Sequence, residues 1–192
     1  MRSKGSRKEM NVRIIAGQYG GRTIKTPQKD TTHPMGERIR GSLFNILGEK
    51  LVGATVLDAF AGSGSLGLEA ISRGAKYATL IEKDRIAQKV IAENIEALGV
   101  EDQTRLIRTR VNSWNATTPK TELFDIIFAD PPYRDIQFFT LEKLLKRLKQ
   151  NGLMVLSHPD RERVPSINGV VVVDNRSYGD AVLTLYRKEK AV

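Results

Sequence analysis

The sequence predicts an α/β domain built on a doubly wound, mainly parallel sheet, entered through a small basic β-hairpin and closed by an antiparallel hairpin. Three observations carry this expectation. Short apolar strands alternate with amphipathic stretches between residues 55 and 157, the pattern of successive βαβ units. A glycine-rich turn, Asp58-Ala-Phe-Ala-Gly62-Ser-Gly64-Ser-Leu-Gly67, separates the first of these strands from its helix. Further on, the apolar run Phe124-Asp-Ile-Ile-Phe-Ala129 ends on Asp130-Pro131-Pro132-Tyr133, and the prolines stiffen that strand end by fixing φ and restricting the residue before them.

Each element has its own signal. Val12 to Gly17 and Arg22 to Thr26 flank Gly20-Gly21 and read as a β-hairpin. Ile39, Leu43, Ile46 and Leu47 recur on one helical face, so a helix is expected from about 37 to 49, entered from Pro34. Arg38 and Arg40 lie off that stripe. Strand Thr55 to Asp58, helix Leu66 to Arg73 stopping at Gly74, and strand Tyr77 to Glu82 make the first βαβ unit. Helix Arg85 to Leu98 stops at Gly99, followed by strand Arg105 to Arg108, strand Phe124 to Ala129, helix Asp135 to Lys149 capped by Asn151-Gly152, and strand Leu153 to Ser157. Val170 to Asp174 and Ala181 to Tyr186 are separated by turn-formers without a helix, which gives the closing hairpin.

Composition narrows the function classes. A chain of 192 residues with 40% apolar content and no repeat fits one compact domain. There is no cysteine, and the two histidines, His33 and His158, are far apart in sequence, so no metal site is expected. No stretch has the apolar length of a membrane span, and the N-terminus is basic without an apolar signal region, which points to the cytoplasm. Residues 1–40 hold ten Lys and Arg against three Asp and Glu, so most of the net charge of +9 sits there. The expected division is therefore a basic arm, residues 1–36, and a catalytic domain, residues 37–192. Arg13, Arg22 and Lys25 of the hairpin, with Arg38 and Arg40, are the candidate contacts to a polyanion.

The ligand of such a sheet lies beyond the C-terminal ends of its strands, where Asp58, Glu82 and Asp130 all fall. Gly62-x-Gly64-x-x-Gly67 also matches a dinucleotide fingerprint, and Glu82 lies where a ribose-binding acid belongs. An NAD-dependent oxidoreductase is thus a rival reading. Asp58 argues for another cofactor: a carboxylate at the entrance of the loop repels a pyrophosphate but can receive the cationic amino-acid end of S-adenosylmethionine.

Here the chain resembles the bacterial small-subunit (16S) ribosomal RNA guanine-N2 methyltransferases, which are class I S-adenosylmethionine enzymes. The similarity runs through Arg13-Ile-Ile-Ala-Gly-Gln-Tyr-Gly-Gly-Arg22, Arg38-Ile-Arg40 with Leu43-Phe-Asn45, Leu57 to Ala70, Leu80-Ile-Glu82 and Asp130-Pro-Pro-Tyr133. The chain departs from the family pattern at His33-Pro-Met35-Gly36 and at Gly41. The resemblance implies a Rossmann-like, seven-stranded sheet with the last strand inserted antiparallel, and methyl transfer to the exocyclic amine of a guanine in 16S rRNA. The implied partner is the rRNA or the small ribosomal subunit at an assembly stage, met by a monomer, with no membrane.

Site roles follow from that chemistry. The lone pair of the guanine amine is delocalised into the ring, so Asp130 and the Pro131 carbonyl are expected to accept its N–H bonds, and Tyr133 to stack on the base. Asp58, Phe60, Gly62, Gly64, Glu82, Asp130 and, near the adenine, Asn112 are the expected cofactor residues. An ordinary turn residue is the alternative reading of Asn112. Trp114 and His158 read as structural, and Lys143 to Lys149 as a solvated helix face. A DNA amino-methyltransferase and a non-enzymatic RNA-binding module are the remaining alternatives.

Overall fold

The computed structural model describes residues 11–28, 35–134, 136–159 and 168–189; His33, Pro34, Asp135 and the first ten residues of the arm lie outside them. In chain order come β1 (Asn11–Arg13), β2 (Thr23–Lys25), α1 (Glu37–Leu47), β3 (Thr55–Asp58), α2 (Ser65–Ser72), β4 (Tyr77–Ile81), α3 (Arg85–Leu98), β5 (Thr104–Ile107), α4 (Val111–Thr117), β6 (Phe124–Ala129), α5 (Phe138–Leu145), β7 (Leu148–Pro159), β8 (Val170–Tyr178) and β9 (Ala181–Lys188).

Strands β3 to β9 form one seven-stranded sheet in the order β5-β4-β3-β6-β7-β9-β8. Pairing is parallel from β5 to β7, and β9 enters between β7 and β8 antiparallel to both. Chain order reverses between β3 and β6, so their C-terminal ends border the crevice in which such sheets hold ligands. This is the Rossmann-like arrangement expected from the sequence.

Local chemistry explains the helices that frame the crevice. The Asp84 carboxylate accepts from the N–H groups of Ile86 and Ala87, and Gly99 closes α3 at φ 67°, a cap at each end. Between the caps, Ala87, Ile91, Ile95 and Leu98 bury a single stripe. Helix α1 turns Leu43, Phe44 and Leu47 inward, and Phe44 packs 5.6 Å from Phe128. The hairpin, α1, α2 and α3 cover one sheet face. On the other face Trp114 of α4 and Leu141, Leu144 and Leu145 of α5 build a second core.

The β1–β2 pair forms with Val12 opposite Ile24, but the strands are shorter than expected and the connection is a broad loop bound to α2. Ile15 and Ala16 donate their N–H groups to the Glu69 carboxylate at 2.7 and 3.1 Å. Gln18 N–H bonds Ser72 O at 2.7 Å, and Tyr19 N–H bonds Ser72 Oγ at 3.0 Å. Gly17, at φ 87°, comes so close that a Cβ there would lie 1.9 Å from Ser72 O. On the far side Asn94 of α3 accepts from Lys25 N–H at 2.8 Å and donates to Lys25 O at 2.9 Å and to Ser63 O at 3.0 Å. Ile14 and Ile24 are buried in the same core as α1 and α2, so the hairpin and the elements after residue 36 share one interior.

Several expectations are corrected. Arg40 is not an RNA-facing cation: it is 1% exposed, donates to Arg13 O and Met35 O, and lies 3.9 Å from Glu69. The helix expected to reach Lys149 ends at Leu145, because Leu148 already pairs with Phe124 in β7. Asn151-Gly152 caps no helix; Asn151, at φ 62°, and Gly152 form a bulge in β7. A Cβ on Gly152 would lie 2.9 Å from Lys149 O and 3.0 Å from Asp125 O. Arg147, read as part of a solvated face, is buried and donates to Asn115 Oδ1, Asn115 O, Thr118 O and Pro119 O. Helix α4 was not anticipated. Strand β8 extends to Tyr178, so the last turn is only Gly179-Asp180.

Glu69 is fully buried and carries the bonds from Ile15, Ala16 and Arg73. Glu69→Ala leaves two half-buried N–H groups and the buried Arg40 uncompensated, so urea unfolding should show a loss of about 3–5 kcal/mol. A loss below about 1 kcal/mol would remove Glu69 as the clamp of the hairpin, since that is the value of an ordinary surface pair.

Candidate active site

Strand β3 delivers Asp58 to the floor of the crevice, 1% exposed. Its Oδ2 accepts from Gly67 N–H at 3.0 Å, whereas the buried Oδ1 has no hydrogen-bond partner. Burial, reinforced by the neighbouring charges of Asp130 and Glu82, raises this carboxyl to about 7 against the pull of the Gly67 and Phe60 N–H groups. A buried acceptor of this kind suits a cationic ligand group.

The glycines after Asp58 have separate jobs. Gly62 takes φ 56° and has open space where a side chain would stand, so a ligand can approach its backbone. Gly64, at φ 80°, and Gly67 sit so close to β4 that a Cβ on either would lie 3.1 Å from Leu80 Cδ2. They allow α2 to press against the sheet. Across the loop, Glu82 accepts from Gly62 N–H at 2.9 Å and from Asp84 N–H at 2.7 Å. Glu82 therefore fixes the loop and the start of α3, and each carboxylate oxygen keeps a further lone pair for a ligand hydroxyl. Phe60 is half-buried against the second core. These residues fit S-adenosylmethionine: an unpartnered acceptor for its ammonium, an open glycine backbone, and an acid for its ribose.

The second half of the site lies at the ends of β6 and β7. Ala129 pairs with Leu156, so the next residues, Asp130 and Ser157, emerge side by side on the face covered by α1. Burial raises the Asp130 carboxyl to about 6, opposed by a hydrogen bond from Ser157. Ser157 Oγ and Tyr133 OH share a second hydrogen bond of 2.9 Å. Tyr133 is 40% exposed, its ring open to solvent while its hydroxyl is held; burial raises its pKa, with Ser157 opposing and Asp130 adding to the rise. Pro131 is buried behind them. Sequence reasoning missed Ser157. The signal was present in the parallel register, which sets the end of the next strand beside Asp130.

The other expected site residues are dispersed. Arg13 pairs with Glu37, Arg22 donates to Ala97 O, and Lys25 pairs with Glu93 at 2.8 Å. All three remain exposed along the hairpin. Arg38 stands exposed at the start of α1. Asn112 lies in α4 rather than in a turn, and its Oδ1 accepts from Thr140 Oγ1 of α5 at 2.8 Å. Trp114 is a core residue packed on Phe124, and His158 is buried and bonded to Thr184. Among the described residues, no group of His, Asp and Glu could hold a metal ion.

Comparison with known proteins adds independent evidence. Residues 12–187 match the family model described as conserved hypothetical protein 95. The chain is 40% identical over 141 residues, 73% of this chain and 68% of the other, to ribosomal RNA small subunit methyltransferase D of Escherichia coli K12. It is 33% identical over 161 residues to the protein of the same name from Buchnera aphidicola, covering 82% and 83% of the two chains. Among solved structures, a provisionally named methyltransferase of Escherichia coli, yhhF, superposes with a TM-score of 0.83 at 33% identity, over 95% of this chain and all of that one.

The two buried acids should titrate apart from ordinary carboxyls. Carbon-detected NMR titration of the ligand-free protein should place Asp58 near 7 and Asp130 near 6. Values near the usual 3.8 for both would contradict the enclosed geometry described above.

Proposed function

The chain belongs to the conserved hypothetical protein 95 family, and on that premise we propose that it is an S-adenosylmethionine-dependent methyltransferase of small-subunit (16S) ribosomal RNA whose acceptor is the exocyclic N2 amine of a guanine. The rRNA methyltransferase reading follows the relatives named for that activity. The guanine amine is inferred from the site, and one observation carries it: Asp130 and Tyr133 are joined through Ser157 beside the acid-lined glycine loop.

The cofactor, when bound, supplies an electrophilic methyl group on a sulfonium. Asp58 receives the ammonium of its amino-acid end, Gly62 and Gly64 present backbone to it, and Glu82 accepts its ribose hydroxyls. Tyr133 offers its exposed ring to the target base, while Ser157 fixes the position of the ring's tip by holding its hydroxyl. Asp130 accepts one N–H of the guanine amine and the Pro131 carbonyl the other. Holding both N–H bonds turns the nitrogen lone pair toward the methyl group. Asp130 would take up the proton the amine loses when it is methylated and pass it to solvent.

The pKa values support this division of labour. At neutral pH a carboxyl near 6 is mostly ionised and still basic enough to take a proton, which suits a general base. A carboxyl near 7 is half protonated without ligand and becomes fully ionised beside a cation. Asp58 also disfavours a dinucleotide, whose pyrophosphate would face that charge.

We place the reaction in the cytoplasm, on rRNA within an assembling subunit, with a monomer as the working form. No described helix is long and apolar enough to cross a membrane.

Three outcomes test the reading. Asp130→Ala should keep cofactor affinity in calorimetry and lose about 10²–10³ in turnover on small subunits from a strain lacking the enzyme. Wild-type activity in that variant would remove Asp130 from the chemistry. Because the working form of Asp130 is the anion, turnover should be full above pH 7 and fall as pH drops through about 6; a profile flat to pH 5 would contradict that role. Cofactor binding at pH 7 should release roughly half a proton, read from calorimetry in buffers of different ionisation enthalpy. No release, or uptake, would mean that Asp58 does not face the ammonium.

A further inference from the structure

The outward face of α1 is not used by the site described above. Arg38, Gly41, Ser42 and Asn45 follow one another at i, i+3, i+4 and i+7, so they form one polar stripe. Beside that stripe runs a cleft of about 790 Å³, bounded by Ile15 of the hairpin loop and by Arg176 of β8. Gly41 contributes no side chain, and a Cβ there would only reach Ile15 Cδ1 at 3.7 Å. The walls are fastened together, because Ser42 Oγ and Tyr178 OH share a hydrogen bond that ties α1 to β8.

The charges of the cleft are unequal. Glu37 is neutralised by Arg13. Arg176 engages Asp174 through Nε at 3.0 Å, leaving the outer nitrogens of its guanidinium without a partner among the described residues. Arg38 has no ion-pair partner there. Two exposed guanidinium groups therefore look into one polar groove, and a guanidinium fork matches phosphate geometry.

Sheet register relates this groove to the reacting centre. Ser157 lies opposite Leu183, and Leu183 opposite Arg176, so Asp130, Ser157, Leu183 and Arg176 follow one cross-strand row on the face covered by α1. Strands lie about 4.8 Å apart, which puts Arg176 roughly 14 Å from Asp130 along the row. A short stretch of single strand can span that distance.

We propose that the α1–β8 cleft seats the phosphodiester backbone of the RNA strand adjoining the target nucleotide, with Arg38 and Arg176 as its phosphate contacts. This rests on the reading of the protein as an rRNA methyltransferase. The target base is splayed into the Asp130 pocket, and the adjoining strand passes over the outward face of α1 into the cleft, since Ser157 and Leu183 beneath that helix are buried. A single strand is favoured over a duplex, because the base it serves must be unstacked.

The test pairs variants on and off the cleft. Arg176→Ala and Arg38→Ala should each raise the KM for small-subunit RNA about three- to tenfold, with the larger effect in KM than in kcat, and leave the affinity for S-adenosylmethionine unchanged. In filter binding of a short guanine-containing single-stranded RNA, each should lower the log–log salt slope by about 0.7. Lys89→Ala removes an exposed cation from α3, which packs on β5 at the opposite edge of the sheet from β8, and should move neither quantity. Unchanged KM and slope in both cleft variants would overturn the proposal, as would an equal drop in the Lys89 variant, which would indicate net charge rather than a site. If the cleft variants lose salt-dependent RNA binding while the wild type transfers no methyl group to rRNA, the cleft stands and the assignment of the acceptor fails.

Discussion

One buried carboxylate organises the hairpin, α1 and α2 around the glycine loop. Glu69 lies on α2, directly after the glycine loop, and accepts from Ile15 and Ala16 of the hairpin and from Arg73 of its own helix. Arg40 of α1 comes within 3.9 Å, and burial lowers its pKa, with the Glu69 charge as the largest opposing influence. Ions this deep pay heavily in lost hydration, and only close partners offset that. The hairpin, α1 and α2 are thus oriented by a charge that none of them could bury alone. Once they are oriented, the polar stripe of α1, the hairpin cations and the glycine loop stand in fixed relation.

The sheet makes the other half of the site by register alone. Parallel pairing of β3 with β4 and with β6 aligns the strand ends that carry Asp58, Glu82 and Asp130, and pairing of β6 with β7 adds Ser157. The two acids with raised pKa owe this to enclosure by the same strand ends. They sit at different values because burial at Asp58 is reinforced by the charges of Asp130 and Glu82, whereas at Asp130 burial is opposed only by the Ser157 hydroxyl. Such separation lets one carboxyl bind a cation and its neighbour handle a proton.

Much of this was legible in the sequence, because local chemistry and tertiary context agreed. Asp84 and Gly99 mark both ends of α3, the alternation of strand and helix gives the sheet, and the three acids appear at strand ends. The misses have physical causes. The leucine spacing from 141 to 148 suits a helix, yet Leu148 is claimed by Phe124 in the sheet, and Gly152 serves a bulge where backbones crowd. Arg40 and Arg147 look like surface cations because charged residues usually are; each is instead a buried donor to backbone carbonyls. Ser157 carries no motif and becomes visible only through the strand beside it. Short α4 lacks an N-terminal side-chain cap and an extended apolar stripe, so nothing in its residues announces it.

The amide of Asn94 joins what the chain keeps far apart. It grips both backbone groups of Lys25 on the hairpin and the carbonyl of Ser63 in the glycine loop. In the proposed reading the hairpin strand faces nucleic acid and the loop faces the cofactor, and the same side chain orders both. Whatever restrains one of them removes part of the entropic cost of restraining the other, and thermodynamic linkage makes that benefit mutual. The two ligands are loaded onto a shared spring, and the order of their arrival changes the path without changing the final balance.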